Sequence, residues 1–352
     1  ASSIPTEASN AVDDCWRRDP VWSRNRQRLA ACSVGYAGKM TGNVGPDVVE
    51  YAVTNPNDDP LNPRPGTLRY AMTNLRGKVW ITFAGDMNIK LVQPLFVRSH
   101  SVIDGRGANV HISGGACLAL HQVTDVIVHG LHIHGCKAST PGRVVGPDGR
   151  PIQVGRVDGD AIRIVSSSKI WIDHNTLQDC EDGLIDVSRG STDITISNNW
   201  FKFQDKVMLL GHDDGFLDDR RMKVTVAFNH FGPNCNQRMP RVRFGYAHVV
   251  NNLYLGWGIY AIGASMNPSI KSQANLFIAP NGDNKDILWD STSNARLRSV
   301  QDVFENGASF KESLLRGTSM RPNYRPDDQA FPVGDGRAVK SLTKSAGALN
   351  CS

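Results

Sequence analysis

The feature that most constrains this chain is a short β-rich run ending in asparagine that keeps returning. Ile170-Trp171-Ile172-Asp173-His174-Asn175 is followed by runs ending at Asn199, Asn229, Asn252 and Asn275, at intervals of 24, 30, 23 and 23 residues. Earlier runs, Ser101–Asp104 and Val126–His129, keep the same rhythm. A bulky side chain follows each asparagine by two places: Leu177, Phe201, Phe231, Tyr254 and Phe277. Repeats of this length mean stacked units that bury their faces on one another. Leucine-rich repeats share the period, but their leucine framework and regular helix are missing. Strand-only units of this size suit a parallel β-helix with about three strands per turn. Asparagines stacked from coil to coil can hydrogen-bond along a ladder, so we read them as holding turns and doing no chemistry.

The expected fold is therefore all-β, a right-handed parallel β-helix forming a single domain over 1–352. Residues 1–36 are assigned to an N-terminal arm and capping helix, 67–280 to the main coils and 281–352 to C-terminal loops and tail. Residues 1–14 are small and polar and read as a loose arm. Asp19-Pro20 is a helix-start signal, with Val21, Trp22 and Leu29 giving an apolar face up to Cys32. That helix is expected to cover one open end of the coil, which would otherwise expose strand edges. Residues 33–66 read as loop with short strands. The rhythm fades near 280, and a tail carrying Arg316, Arg321 and Arg325 is expected to wrap back along the solenoid.

Composition excludes several classes. The chain has 352 residues, 40% hydrophobic and 21% charged, which suits an ordinary folded domain. No apolar run is long enough to cross a bilayer, and no membrane partner is expected. Ala1 is followed by no basic-then-apolar leader, consistent with a signal peptide removed or never present. Net charge is +5, a mild preference for polyanions. Nucleic acid is not the expected partner, because no basic block with interleaved aromatics occurs. Among seven cysteines, Cys15 and Cys32 bracket one short segment and Cys117 and Cys136 another. Two local bridges would fit an oxidising compartment. Cys180, Cys235 and Cys351 are left over, and Asn350-Cys351-Ser352 is a weak terminal glycosylation sequon.

The chemistry-bearing residues cluster between 158 and 243. Val157-Asp158-Gly159-Asp160-Ala161 puts two carboxylates on one side of an extended chain. One coil later come Asp182 and Asp186, on a neighbouring coil and pointing the same way. Oxygen-only donors without His or Cys favour a hard cation, and calcium tolerates irregular geometry best. Spacing alone leaves ordinary turn aspartates equally open, since Asp-Gly is common in turns. Lys206 lies a coil further on, and Asn236-Gln237-Arg238-Met239-Pro240-Arg241-Val242-Arg243 supplies three arginines. Guanidinium binds carboxylate bidentately, so these residues match a sugar acid or merely balance the acids.

Trp171-Ile172-Asp173-His174, Cys180-Glu181-Asp182-Gly183-Leu184-Ile185-Asp186, Lys206 through Asp214, Val224 through Phe231 and Gln237 through Arg241 together resemble plant pectate lyases. So does Ile103 through Ala108, and Cys15-Trp16-Arg17 and Pro65 through Tyr70 match the cedar-type pollen allergens of that family. The similarity runs from about Cys15 to Pro280 and returns at Leu342–Gly347. The resemblance implies Asp160, Asp182 and Asp186 as primary Ca2+ ligands, with Asp158 helping to hold a further, substrate-associated calcium. It implies Arg238 as the catalytic base and Lys206 and Arg243 as substrate-binding cations; Arg241, on the same strand face as Arg243, is grouped with them. It further implies a secreted, extracellular cell-wall enzyme, expected as a monomer, acting on polygalacturonate. Two departures stand out. Val242 replaces a cysteine often found in plant members, and residues 281–340 match poorly.

Pectate's C5 proton lies beside a carboxylate. Calcium and a cationic side chain there would stabilise the enediolate-like charge, and loss of the C4 oxygen would cleave the chain by β-elimination. Arginine normally stays protonated. Crowding by cations would disfavour its charged form, so an alkaline optimum is expected. Two rivals remain. One is a polygalacturonase-type hydrolase using His212-Asp213-Asp214; the other is a wall or allergen-like protein that binds pectin without cleaving it. His129, His132, His134, His174 and His230 read as packing or turn residues. Trp171 and Trp200 read as core or turn-stacking residues, while Trp257 and Tyr260 stay open.

Overall fold

The computed structural model describes residues 9–291, 294–313 and 320–349. Three parallel sheets of ten, eight and nine strands form the body. Each full coil contributes one strand to each sheet in turn. The coil of Ile185–Ser188, Thr192–Ser197 and Trp200–Lys202 is representative. Its residues pair in register with the coils on either side, Ile194 between Ile170 and Val224, for example. This is the expected all-β parallel β-helix. Alternation sends one set of side chains inward, so Ile185, Val187, Ile194 and Ile196 are fully buried in a single long core.

The asparagine ladder forms at the turn between the ten-stranded and nine-stranded sheets. The Asn175 amide N–H donates to Asn199 Oδ1 at 2.9 Å, and its side-chain Nδ2 donates to the same oxygen at 3.1 Å. Asn199 repeats this on Asn229, Asn229 on Asn252, and Asn252 on Asn275. Each Nδ2 also reaches a carbonyl of its own coil's preceding neighbour, as Asn229 does to Ile196. The last rung is Asp302, whose Oδ1 accepts from Asn275 at 2.8 Å while Ser299 donates to its other oxygen. A terminal rung has no further asparagine to donate to, so an acceptor-only side chain suffices there.

The bulky residues after the ladder form an internal stack. Phe201, Phe231, Tyr254 and Phe277 lie nearly parallel with centroids 4.4–5.0 Å apart. Burying each ring is worth on the order of 2–3 kcal/mol.

Three features differ from expectation. First, no helix runs from Pro20 to Cys32. The α-helix is Ala11–Trp16, capped by Asn10, and Arg26–Cys32 is a 3-10 segment. Between them the chain turns so that Trp22 can cover the Arg26 and Arg106 guanidiniums at 5.0 and 5.1 Å. Those arginines pair with the fully buried Asp104. Second, the N-terminal segment covers a side of the coil, not its end. Val12, Trp16, Leu29 and Met40 pack on Trp80, Val102, Ile127 and Trp171, an outward row of the ten-stranded sheet. The end is closed by Leu68–Asn74, whose Leu68, Ala71 and Met72 join the main core. Third, the coils start before 67 and pass 280: Val49–Val53 begins the ten-stranded sheet, and Leu288–Asp290, Arg296–Val300 and Val303–Glu305 extend all three. Those last strands lack the asparagine signature, which is why the rhythm fades without the coil ending.

The N-terminal helix is tied down by charge. His174, fully buried, places Nε2 3.0 Å from Asp13 and Nδ1 2.6 Å from Asp173. Burial opposes its charged form, but the Asp173 and Asp13 carboxylates outweigh burial and push its pKa up to about 9. The tail returns along the coil as expected: Gly347 and Ala348 donate to Asn198 and Thr176. Cys15–Cys32 and Cys117–Cys136 are disulfides, and Cys180 and Cys235 are free thiols. Arg316, Cys351 and the sequon fall outside the described residues. No described helix is long and apolar enough to cross a membrane.

Candidate active site

The outward face of the eight-stranded sheet is a shallow groove. One row crosses it in register, from Phe96 through Arg163, Asp186, Leu209 and Arg241 to Trp289. Strand alternation sets this row: Ile185 and Val187 go inward, so Asp186 between them goes out. The loops entering the sheet bring further acids to the same place.

Four carboxylates converge there. Oxygens of Asp158, Asp160 and Asp182 lie within 4.8 Å of one another. Asp160 and Asp186 meet at Gly183, where an added Cβ would stand 3.0 Å from Asp160 Oδ1 and 2.7 Å from Asp186 Oδ1. Gly183 N–H donates to Asp160 Oδ1 at 2.8 Å. Burial, with the Asp158 and Asp182 charges adding to it, pushes the Asp160 carboxyl up to about 6. Burial, then Asp160, Asp182 and Asp158, pushes Asp186 well above the ordinary carboxylate range. Mutual repulsion among buried acids is what a bound cation relieves. Among the described residues the metal-type donors gathered here are carboxylates, and side-chain bulk is missing where Gly183 sits. The residues therefore fit a hard dication such as calcium.

The cations surround the acids. Lys206 Nζ lies 2.7 Å from Asp182 Oδ1. Gln204–Lys206 pairs with Cys235–Gln237, which leads directly into Arg238. Arg238 takes a left-handed conformation at φ 62°, and its charge lowers the carboxyl of Asp186. Its buried Nε has no hydrogen-bond partner among the described residues. Arg241 and Arg243 serve other contacts. Arg241 lies over the Trp289 ring at 4.9 Å and reaches Ser265. Arg243 binds Asp214 Oδ1 at 3.1 Å and the Gly211 carbonyl. The predicted residues thus gather in one groove, with Asp158, Asp160, Asp182, Asp186, Lys206 and Arg238 at its centre and Arg241 and Arg243 beyond.

The structure also settles contributors that the sequence left open or unread. Tyr260 stacks on Trp289 at 5.5 Å; burial raises its phenol, partly offset by Arg241 and Arg238. Nothing in its spacing signalled this. Gly183 was inside a quoted motif, but its significance lies in the Cβ it lacks. At the opposite end a cavity of about 360 Å³ is walled by Phe96 and Val165, with Arg156, Arg163 and Arg189 around it. Cys180 lies instead beside Asp182 and Lys206, and burial holds its thiol up at about 12, so it is inert.

A parallel β-helix whose groove sets an acidic cluster beside lysine and arginines defines the class: the chain is a polysaccharide lyase. The pectate lyase family profile matches residues 23–321. "Pectate lyase 1" of Juniperus virginiana is 50% identical, over 97% of this chain and 94% of that protein. "Putative pectate lyase 2" of Arabidopsis thaliana is 48% identical, over 99% of this chain and 91% of its own. The crystal structure of Jun a 1, the major allergen from cedar pollen, superposes with a TM-score of 0.91 at 48% identity, covering 97% of this chain and all of that one. The chain belongs to the pectate lyase family.

Proposed function

We propose that this protein is a calcium-dependent pectate lyase that cleaves de-esterified (1,4)-α-D-galacturonan by β-elimination, with Arg238 as the base. One observation carries this reading: Asp160 and Asp186 meet at Gly183, and Asp186 feels the charge of Arg238, whose buried Nε has no hydrogen-bond partner among the described residues. Asp160, Asp182 and Asp186 would hold calcium, and Asp158, 59% exposed and 3.6 Å from Arg163, would exchange that arginine for a substrate-side ion. When bound, calcium supplies positive charge to the sugar carboxylate and so favours loss of the C5 proton.

The chain's own residues do the rest. Lys206 adds a cation beside Asp182 that can move to the sugar carboxylate and stabilise charge formed on deprotonation. Arg238, held by the short pairing of Gln204–Lys206 with Cys235–Gln237, takes the C5 proton. Arg241 and Arg243 bind neighbouring uronate carboxylates as bidentate donors. The C4 oxygen then leaves and no water is consumed. The disulfides and the plant relatives support a secreted protein of the plant cell wall.

The hydrolase alternative, using His212, Asp213 and Asp214, would leave the acids around Gly183 and the cations beside them without a role. Product analysis separates the readings. Polygalacturonate treated with the protein should yield unsaturated uronides absorbing in the ultraviolet. Reducing ends without that absorbance would mean hydrolysis, and neither would mean binding alone.

A further inference from the structure

The back of the coil carries a second group of ligand-type side chains. His111 on Val110–Ser113 and His132 and His134 on His132–His134 project from the nine-stranded sheet, all half-buried. His111 and His132 are register partners, and their rings stack at 4.5 Å and 11°. His134 stands diagonally from His111, with its Nε2 2.9 Å from His111 Nδ1. The other nitrogen of His111 is held by Asn109 Oδ1 at 3.1 Å. A carbonyl oxygen only accepts, so Nε2 of His111 carries the proton and Nδ1 offers a lone pair. His134 then donates its Nε2 proton into that lone pair.

From this geometry we propose a transition-metal site formed by His111 Nδ1 and His134 Nε2, for a tetragonal dication of the Cu2+ type. The hydrogen bond aims the two nitrogens at each other, so an ion enters as the rings turn until their lone pairs converge; nitrogens that stay about 2.9 Å apart then subtend about 90° at an ion about 2.05 Å from each, the angle of adjacent ligands in a tetragonal complex. Binding moves the His134 proton from Nε2 to Nδ1, so both nitrogens present lone pairs and no proton is released. Asn109 fixes the tautomer of His111, the usual outer support for a metal-bound imidazole. His132 cannot join in the same plane because its ring is parallel to that of His111; it braces that ring instead. All three rings are only half-buried, so approach to the pair is open. Asp86 and Asp179 place negative charge near His111 and His134. The site is on a different sheet from the groove and does not depend on the proposed lyase mechanism.

The test uses the full chain saturated with calcium, so that the acidic groove is occupied, titrated with Cu2+ and read by electron paramagnetic resonance. One Cu2+ per chain coupled to two imidazole nitrogens is expected. His111→Ala and His134→Ala should each lose one nitrogen coupling, His132→Ala should keep both, and Asn109→Leu should weaken binding roughly tenfold. Cleavage of polygalacturonate should be unchanged in all four, which separates this site from the groove. A two-nitrogen signal that survives His111→Ala or His134→Ala, or no nitrogen-coupled copper at all, overturns the proposal.

Discussion

Replacing Gly183 with alanine tests the cation site without touching a carboxylate. The Gly183 backbone is not left-handed, so alanine fits its conformation. The new methyl would stand 2.7 Å from Asp186 Oδ1. Ordinary contact starts near 3.4 Å, so that carboxylate must withdraw by about 0.7 Å. Metal–oxygen distances tolerate only about 0.2 Å. For calcium about 2.4 Å from the oxygen, at an effective dielectric of about 20, the withdrawal costs roughly 3 kcal/mol. That is ~100-fold in affinity. Calorimetric titration of calcium into chelator-stripped protein reads this directly. Circular dichroism and melting in chelator should match the parent, because the backbone is undisturbed. Calcium binding within threefold of the parent, in a folded variant, would refute the placement of the ion between Asp160 and Asp186.

Other consequences follow from the same structure. Asn229→Ala removes two bonds accepted from Asn199 and two donated to Ile196 and Asn252, a loss of roughly 4 kcal/mol at about 1 kcal/mol each. Asp302→Asn should cost far less, since the last rung needs only an acceptor; urea midpoints for both decide it. The His174 pKa is raised to about 9 in the folded state, so its stabilisation is complete below about pH 6.5 and lost as pH rises through 9. Melting temperature should fall across that window, and His174→Gln should flatten the fall. The acids of the groove are also raised, Asp160 to about 6. Stripped protein should therefore lose stability as pH climbs from about 4 to 6, and the melting shift caused by calcium should grow over the same range. Lys206→Ala should lower turnover more than substrate affinity if its charge acts in the transition state, as steady-state kinetics can tell.

The coil was legible because its signals are periodic. Asparagine at one turn and a large residue two places on are direct requirements of the ladder from Asn175 to Asn275 and of the Phe201–Phe277 stack. The period places Asp160, Asp182, Asp186 and Lys206 on adjacent coils, but spacing alone left ordinary turn aspartates equally open, and it is the family resemblance that singles out these acids and Arg238. What was not legible depends on contacts distant in sequence. Pro20 and Asp19 signal a helix locally, but Trp22 is needed over Arg106, and that contact overrides the local preference. The outward row of Trp80, Val102, Ile127 and Trp171 looks like core in sequence, so a side-covering arm could not be told from an end cap. Strands after 280 were hidden because Asp302 closes the ladder without asparagine. Tyr260 reaches Arg238 and Arg241 from a loop with no pattern of its own.

The most direct test of the central claim is ultraviolet absorbance on polygalacturonate, measured with calcium and with excess chelator, on the parent chain and on Arg238→Ala. Strong product absorbance is expected for the parent with calcium, lost in chelator and recovered on adding calcium back. Near-complete loss is expected in folded Arg238→Ala, even with calcium. Full activity in chelator would contradict the calcium site, and full activity in Arg238→Ala would contradict its role as the base.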